Sequence, residues 1–82
     1  MERAIVVFKM IERKQSLDID IPLDISANDL VLALNSAFGL KIDTLDIKNC
    51  YLKSENPIAL LRGSQTLKEY GIRDGSIIIF SE

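Results

Sequence analysis

The residues best suited to chemistry are few: one cysteine, Cys50, and three closely spaced aspartates, Asp18, Asp20 and Asp24, in an 82-residue chain with no histidine. A cysteine nucleophile acts as its thiolate, which a neighbouring histidine, a cation or a helix N-terminus must favour. Without histidine Cys50 has no such base, and the Ser-His and Cys-His arrangements of acyl transfer are closed to the chain. Cys50 is therefore read as a half-buried strand cysteine, and a lone cysteine forms no internal disulfide. Asp18 and Asp20, two residues apart on a strand, share a face and with Asp24 suggest oxygen ligands for a hard cation. The glycine and closing glutamate of an EF-hand loop are missing, so these aspartates are read as strand-edge charges and no metal site is assigned. "RGSQ" and "RDGS" lack the spacing of a phosphate-cradling loop before a helix and read as turns. No catalytic, cofactor-binding or metal-binding residue is assigned, and the chain is expected not to be an enzyme.

The composition bounds the class of protein and its partners. Twelve acidic and 10 basic residues give a net charge of −2, scattered so that no basic field exists to hold nucleic acid or anionic lipid. Charged residues at 27% and apolar residues at 48% are globular values with no low-complexity linker. A chain of this length fits one domain over residues 1–82, burying roughly 60–65% of its unfolded surface. The first apolar run, Ala4 to Ile11, is interrupted by Lys9 and followed by "ERKQ". It is too short to span a membrane and has no small-residue cleavage site, so it reads as a strand of a cytoplasmic protein.

Elements follow from the pattern. "AIVVFKMI", the polar turn "ERKQ" and "SLDIDIPL" form a β-hairpin, with Leu17, Ile19, Ile21 and Leu23 on one face of the second strand. The other face carries Ser16, Asp18, Asp20 and Pro22, which suits a sheet edge. Ser26 caps a helix in which Ala27, Leu30, Val31, Leu34 and Phe38 form one stripe, and Gly39 ends it. Leu32 points the opposite way. A strand is expected within Leu45 to Lys53, with either Ile47, Asn49 and Tyr51 or Lys48, Cys50 and Leu52 inward. A turn at "SENP", a short strand at Ile58 to Arg62, the compact turn "GSQTLKEYGI" and a last strand over Ser76 to Ser81 complete the order.

This ββαββ order plus a final strand resembles the β-grasp fold, an α+β class in which a mixed sheet of four to five strands packs on one helix. "TLKEYGIRDGS", Thr66 to Ser76, is similar to the turn before the last strand of ubiquitin, with Leu67, Tyr70 and Ile72 in matching places. "YGIRDGSIII" resembles more closely the YukD/EsaB group of small ubiquitin-like proteins, which accompany type VII secretion systems of Gram-positive bacteria and lack a glycine tail. The resemblance implies that Leu67 and Ile72 are core and that the Tyr70 hydroxyl ties down backbone.

The last strand, Ile77-Ile78-Ile79-Phe80, is apolar on both faces, whereas one helix covers only one. By the ubiquitin-like register Ile78 and Phe80 face the helix and Ile77 and Ile79 face away. On the first strand Ala4, Val6, Phe8 and Met10 go inward, leaving Ile5, Val7 and Ile11 outside. Ile5, Val7, Ile77 and Ile79, with Leu32 on the helix, are the candidate partner-binding residues, since contiguous exposed apolar groups mark contact surfaces. The bland reading is that Lys9 and Lys48 lie over the patch, or that the register slips by one residue. The resemblance implies a non-conjugated interaction module, an accessory or regulatory component of a type VII secretion system. Its implied partners are a pseudokinase-like membrane subunit or the motor ATPase, with recruitment to the inner face of the membrane, or a second copy of itself. The alternatives are a ubiquitin-like modifier or sulfur carrier whose glycine tail is absent or truncated, with Ser81-Glu82 following the last strand, and an excised ubiquitin-like domain of a larger secretion membrane subunit.

Overall fold

The structure, a computed structural model, describes residues 2–81; the final residue of the Ser81-Glu82 ending lies outside them. The elements are β1 (Arg3–Met10), β2 (Gln15–Pro22), α1 (Ala27–Phe38), a 3-10 segment (Thr44–Asn49), β3 (Leu52–Glu55), β4 (Ala59–Leu61), the one-turn helix α2 (Leu67–Tyr70) and β5 (Ile77–Phe80). The sheet order is β2-β1-β5-β3-β4. β5 lies parallel to β1 and antiparallel to β3, so the last strand is central and β2 is an edge. This is the expected β-grasp arrangement, with five strands.

The core forms where the strand and helix periods meet. Ala4, Val6, Phe8 and Met10 from β1, Ile78 and Phe80 from β5, and Ala27, Leu30, Val31 and Leu34 from α1 are all buried in one cluster. The Phe8 and Phe38 rings add a tilted pair with centroids 5.1 Å apart, a favourable aromatic geometry. Leu67 and Ile72 join the same core. Burial along β2 fades toward the hairpin: Ile21 and Leu23 are buried, Ile19 is partly so, and Leu17 is exposed.

Both helix starts are capped by side chains. Ser26 Oγ accepts the Asp29 amide at 3.1 Å, and Gly39 ends α1 at φ 60°, a left-handed conformation that costs glycine little. Thr66 and Glu69 form a reciprocal capping box on α2. The two caps sit side by side, because residues 63–68 bond along residues 23–28, as in Ala27 N–H to Gln65 O at 2.9 Å and Leu67 N–H to Ile25 O at 3.0 Å. Hydrogen bonds to the Glu69 carboxylate, first from the Thr66 amide and then from its hydroxyl, hold its pKa below the ordinary glutamate value. A lowered carboxyl pKa stabilises the fold above the unfolded-state value, and the contribution disappears as pH falls through the folded value. The urea midpoint of the wild type is therefore expected to drop more on acidification than that of Glu69→Gln, whose amide oxygen keeps the bond without titrating. Equal drops would show that this carboxylate contributes no acid sensitivity.

The C-terminal end of α1 has no basic residue of its own in the last turn. Arg13, from the hairpin turn, supplies one, donating to the carbonyls of Phe38 and Gly39 at 2.7 Å each. A cation there faces the negative end of the helix dipole and satisfies orphan carbonyls. Arg13→Ala is expected to cost about 1 kcal/mol, because the exposed site screens a charged hydrogen bond. That loss lowers Tm by roughly 4–8 °C for a domain of this size. Arg13→Lys should recover less than half of it, since lysine lacks the planar fork that reaches two carbonyls. A thermal melt of the three proteins checks the order, and equal Tm values would contradict it.

One expectation fails in detail. The strand sought within Leu45 to Lys53 begins only at Leu52, and Thr44–Asn49 is 3-10. Asp43 Oδ1 accepts the Leu45 amide at 3.1 Å, and Asn49 donates to the Asp46 carboxylate at 2.5 Å. Such short polar side chains offer the backbone local bonds that compete with a ladder. Cys50, Leu52 and Ser54 are buried, Lys48 is exposed, and Ile47 packs partly against the core, so neither simple alternation runs through the segment. The strand sought at Ile58 to Arg62 is shorter, and Ile58 lies outside it, 90% exposed.

Candidate functional site

The parallel pairing of β1 and β5 aligns Val7 with Ile77 and Lys9 with Ile79. Residues in register on neighbouring strands share a face, and these strands lie about 4.8 Å apart. Val7, Ile77 and Ile79 are partly exposed on the face away from α1, and Ile5, two residues before Val7, is 57% exposed on the same side. The register thus brings Ile5, Val7, Ile77 and Ile79 together at the middle of the outer face. Ile11 lies beyond the end of β1, in the hairpin turn, with its amide bonded to the Phe80 carbonyl at 3.0 Å.

Charge surrounds this patch unevenly. Asp18 and Asp20 stand opposite Val7 and Ile5 on β2, and Glu55 stands opposite Ile77 on β3. At the other end, Lys9 and Lys53 flank Ile79 from both sides, and Leu60, 41% exposed, lies beyond Lys53 on β4. An apolar centre with acid at one end and base at the other can orient a partner as well as bind it. Lys53, Glu55 and Leu60 are not assigned to this face from the sequence, which leaves open the inward face of the strand ending at Lys53, puts Glu55 in the expected turn, and assigns no face along Ile58 to Arg62. Lys48, the sequence candidate for covering the patch, belongs to the 3-10 segment, and Lys53 takes its place in the strand row.

Two loops hold the ends of β1 and β5 in place. Asp74 Oδ1 accepts the Ile5 amide at 2.8 Å, so the "RDG" turn closes the open start of the β1–β5 ladder. Ser76, fully buried, donates to the Asn56 carbonyl at 2.6 Å and accepts the Arg73 amide at 3.0 Å. Ser54 Oγ donates to the Pro57 carbonyl at 2.7 Å. The patch therefore rests on a sheet whose buried hydroxyls are paired, as burial requires. Tyr70 Oη donates to the Arg62 carbonyl at 2.6 Å, a bond between α2 and the chain after β4.

The other candidates stand apart from this face. Leu32 is 43% exposed on the solvent side of α1, opposite the buried stripe and away from the sheet patch. The Cys50 thiol is buried and donates to the carbonyls of Asp43 and Asp46 at 3.2 and 3.5 Å. Asp20 is held by Arg3, whose Nε donates to Oδ1 at 3.0 Å. Among the described residues no helix is long and apolar enough to cross a membrane.

Comparison with known proteins separates fold from family. The chain is similar in structure to the ubiquitin-like domain of tubulin-binding cofactor B, at TM-score 0.72 and 22% identity over 95% of this chain and 87% of that one. It is similar to the C-terminal ubiquitin-like domain of mouse tubulin-specific chaperone e, at TM-score 0.74 and 16% identity over 99% and 89%. Caldiarchaeum subterraneum ubiquitin follows at TM-score 0.64 and 13% identity over 99% and 96%. At these identities the likeness shows the ubiquitin-like fold. No curated protein sequence matches the chain. Residues 5–80 match the family model described as "WXG100 protein secretion system (Wss), protein YukD".

Proposed function

The chain belongs to the YukD family of WXG100 secretion-system proteins, and from that premise we propose that it is a non-conjugated, non-enzymatic recognition module of a type VII secretion machine. The carrying observation is the register that gathers Ile5, Val7, Ile77 and Ile79 on the uncovered face of the sheet. A rigid β-face of this kind, with an apolar middle and oppositely charged ends, suits docking on a larger protein. The partner is a cytosolic part of the machine, either the pseudokinase-like membrane subunit or the motor ATPase, and the module works in the cytoplasm at the inner face of the membrane. The partner presents an apolar anchor to Ile77 and Val7, carboxylates near Lys9 and Lys53, and cations near Asp18 and Glu55.

The test is co-purification of the tagged chain with each of these two proteins, using the wild type and a variant carrying Ile77→Thr and Ile79→Thr. Retention by the wild type and loss by a folded variant supports the reading. Equal retention moves the contact off the outer face. A concentration-dependent mass that the variant abolishes, seen by light scattering, makes a second copy the occupant.

A further inference from the structure

β2 is an edge strand, and it borders an apolar groove. The groove, about 510 Å³, runs between β2 and α1 and is lined by Ile19, Ile25, Leu34 and Phe38, with Ala33 and Ala37 along its helix wall. The two alanines are exposed and one helical turn apart, so neither side chain fills the space between helix and strand. This surface lies on the opposite side of β2 from the sheet patch described above.

The hydrogen-bond pattern says what the edge can accept. Val7 directs its amide at Ser76 on the β5 side, so the even-numbered residues of β1 bond to β2, where their partners are Leu17, Ile19 and Ile21. Leu23 likewise gives its amide to Glu2. The amides of Ser16, Asp18 and Asp20 consequently point outward along the open edge, together with the carbonyls of Ser16 and Asp18. The Asp20 carbonyl takes a bond from Arg3 at 3.3 Å.

We propose that this edge and groove take an extended segment of a protein partner as an added strand, one whose side chains alternate between apolar and basic. The alternation follows from the pleat. Side chains opposite Ile19 and Ile21 on an added strand enter the groove over Ala33 and Ala37 and must be apolar. The one opposite Asp18 lies beside its carboxylate, where a Lys or Arg is favoured across strands and an acid is opposed, while Asp20 already pairs with Arg3. Among the described residues no cation is ion-paired with Asp18. The same aspartates oppose pairing with acidic edges and with a second β2, so charge selects the occupant.

The experiment titrates the isotope-labelled chain with a blocked eight-residue peptide of alternating valine and lysine, following backbone amide shifts. Controls are the alternating valine–glutamate peptide and a peptide of the first composition with its valines and lysines in two blocks. The expected result is saturable movement of Ser16, Asp18, Asp20, Ala33 and Ala37, with neither control bound and weaker binding at high salt. A variant with Ala33→Gln and Ala37→Gln, both at exposed positions of a helix that tolerates glutamine, should bind about tenfold more weakly with an unchanged circular dichroism spectrum. No saturable shift, shifts confined to Val7, Ile77 and Ile79, equal binding of the block peptide, or an unweakened double variant would each overturn the proposal. Apart from shifts confined to Val7, Ile77 and Ile79, these outcomes leave the outer-face reading untouched, since that reading rests on Ile5, Val7, Ile77 and Ile79.

Discussion

Phe8→Ala is expected to remove about 3–5 kcal/mol of stability, the loss found when a large aromatic is deleted from a core that cannot collapse around the void. Phe8 is fully buried, pairs with Phe38, and sits on the strand hydrogen-bonded to both β2 and β5. Its removal therefore unsettles the helix and three strands at once. A domain of this length has only about 4–12 kcal/mol in total, at about 0.05–0.15 kcal/mol per residue, so a substantial part of the population unfolds. Ile5→Ala, on the same strand but the outer face, should change stability by less than about 1 kcal/mol, since surface substitutions usually do. Urea unfolding of both variants separates the faces. A Phe8→Ala cost under about 1.5 kcal/mol, or an Ile5→Ala cost equal to it, would contradict the assigned inside and outside.

The second large effect concerns binding. Replacing Ile77 and Ile79 together by threonine keeps β-branching, and with it strand preference, while exchanging apolar surface for a hydroxyl. Truncating a side chain at the centre of an interface costs about 1–3 kcal/mol, and two such costs are not strictly additive. The pair should weaken binding of the proposed partner by at least about 2 kcal/mol, roughly thirtyfold in Kd. Both positions are only partly exposed, so the comparison rests on a thermal melt showing the variant folded at the assay temperature. Leu32→Ala, on the far side of α1, should leave Kd unchanged; a weakening there with the threonine pair silent would move the interface to the helix.

The division of the molecule into these two faces was legible in the sequence where one period ran unbroken. The stripe from Ala27 to Phe38 between Ser26 and Gly39, and the alternation Ala4, Val6, Phe8, Met10, gave element type and inward face together. The continuous run Ile77 to Phe80 carries no alternation, and only its place beside β1 in the fold made Ile77 and Ile79 outward. The segment around Asp43 to Asn49 misled because its apolar residues are spaced as a strand permits, while Asp43, Asp46 and Asn49 close local bonds that periodicity does not register. Leaving that strand's inward face open and ending it at Lys53 kept Lys53 and Glu55 from being assigned to the outer face. Arg13 was equally hidden: its partners are carbonyls 25 and 26 residues away, and bonds of that span leave no local sequence signal. The β2–α1 groove was implicit in the small residues Ala33 and Ala37, yet it required the fold to set the helix beside the open edge.

The most direct test of the central claim is amide-shift mapping of the isotope-labelled chain against the purified cytosolic domain of the pseudokinase-like subunit, repeated with the motor ATPase. One of the two is expected to broaden or move the amides of Ile5, Val7, Lys9, Lys53, Ile77 and Ile79 as a contiguous set, while Leu32 and the solvent side of α1 stay unchanged. A saturable complex that perturbs other surfaces and leaves these six amides still would contradict it.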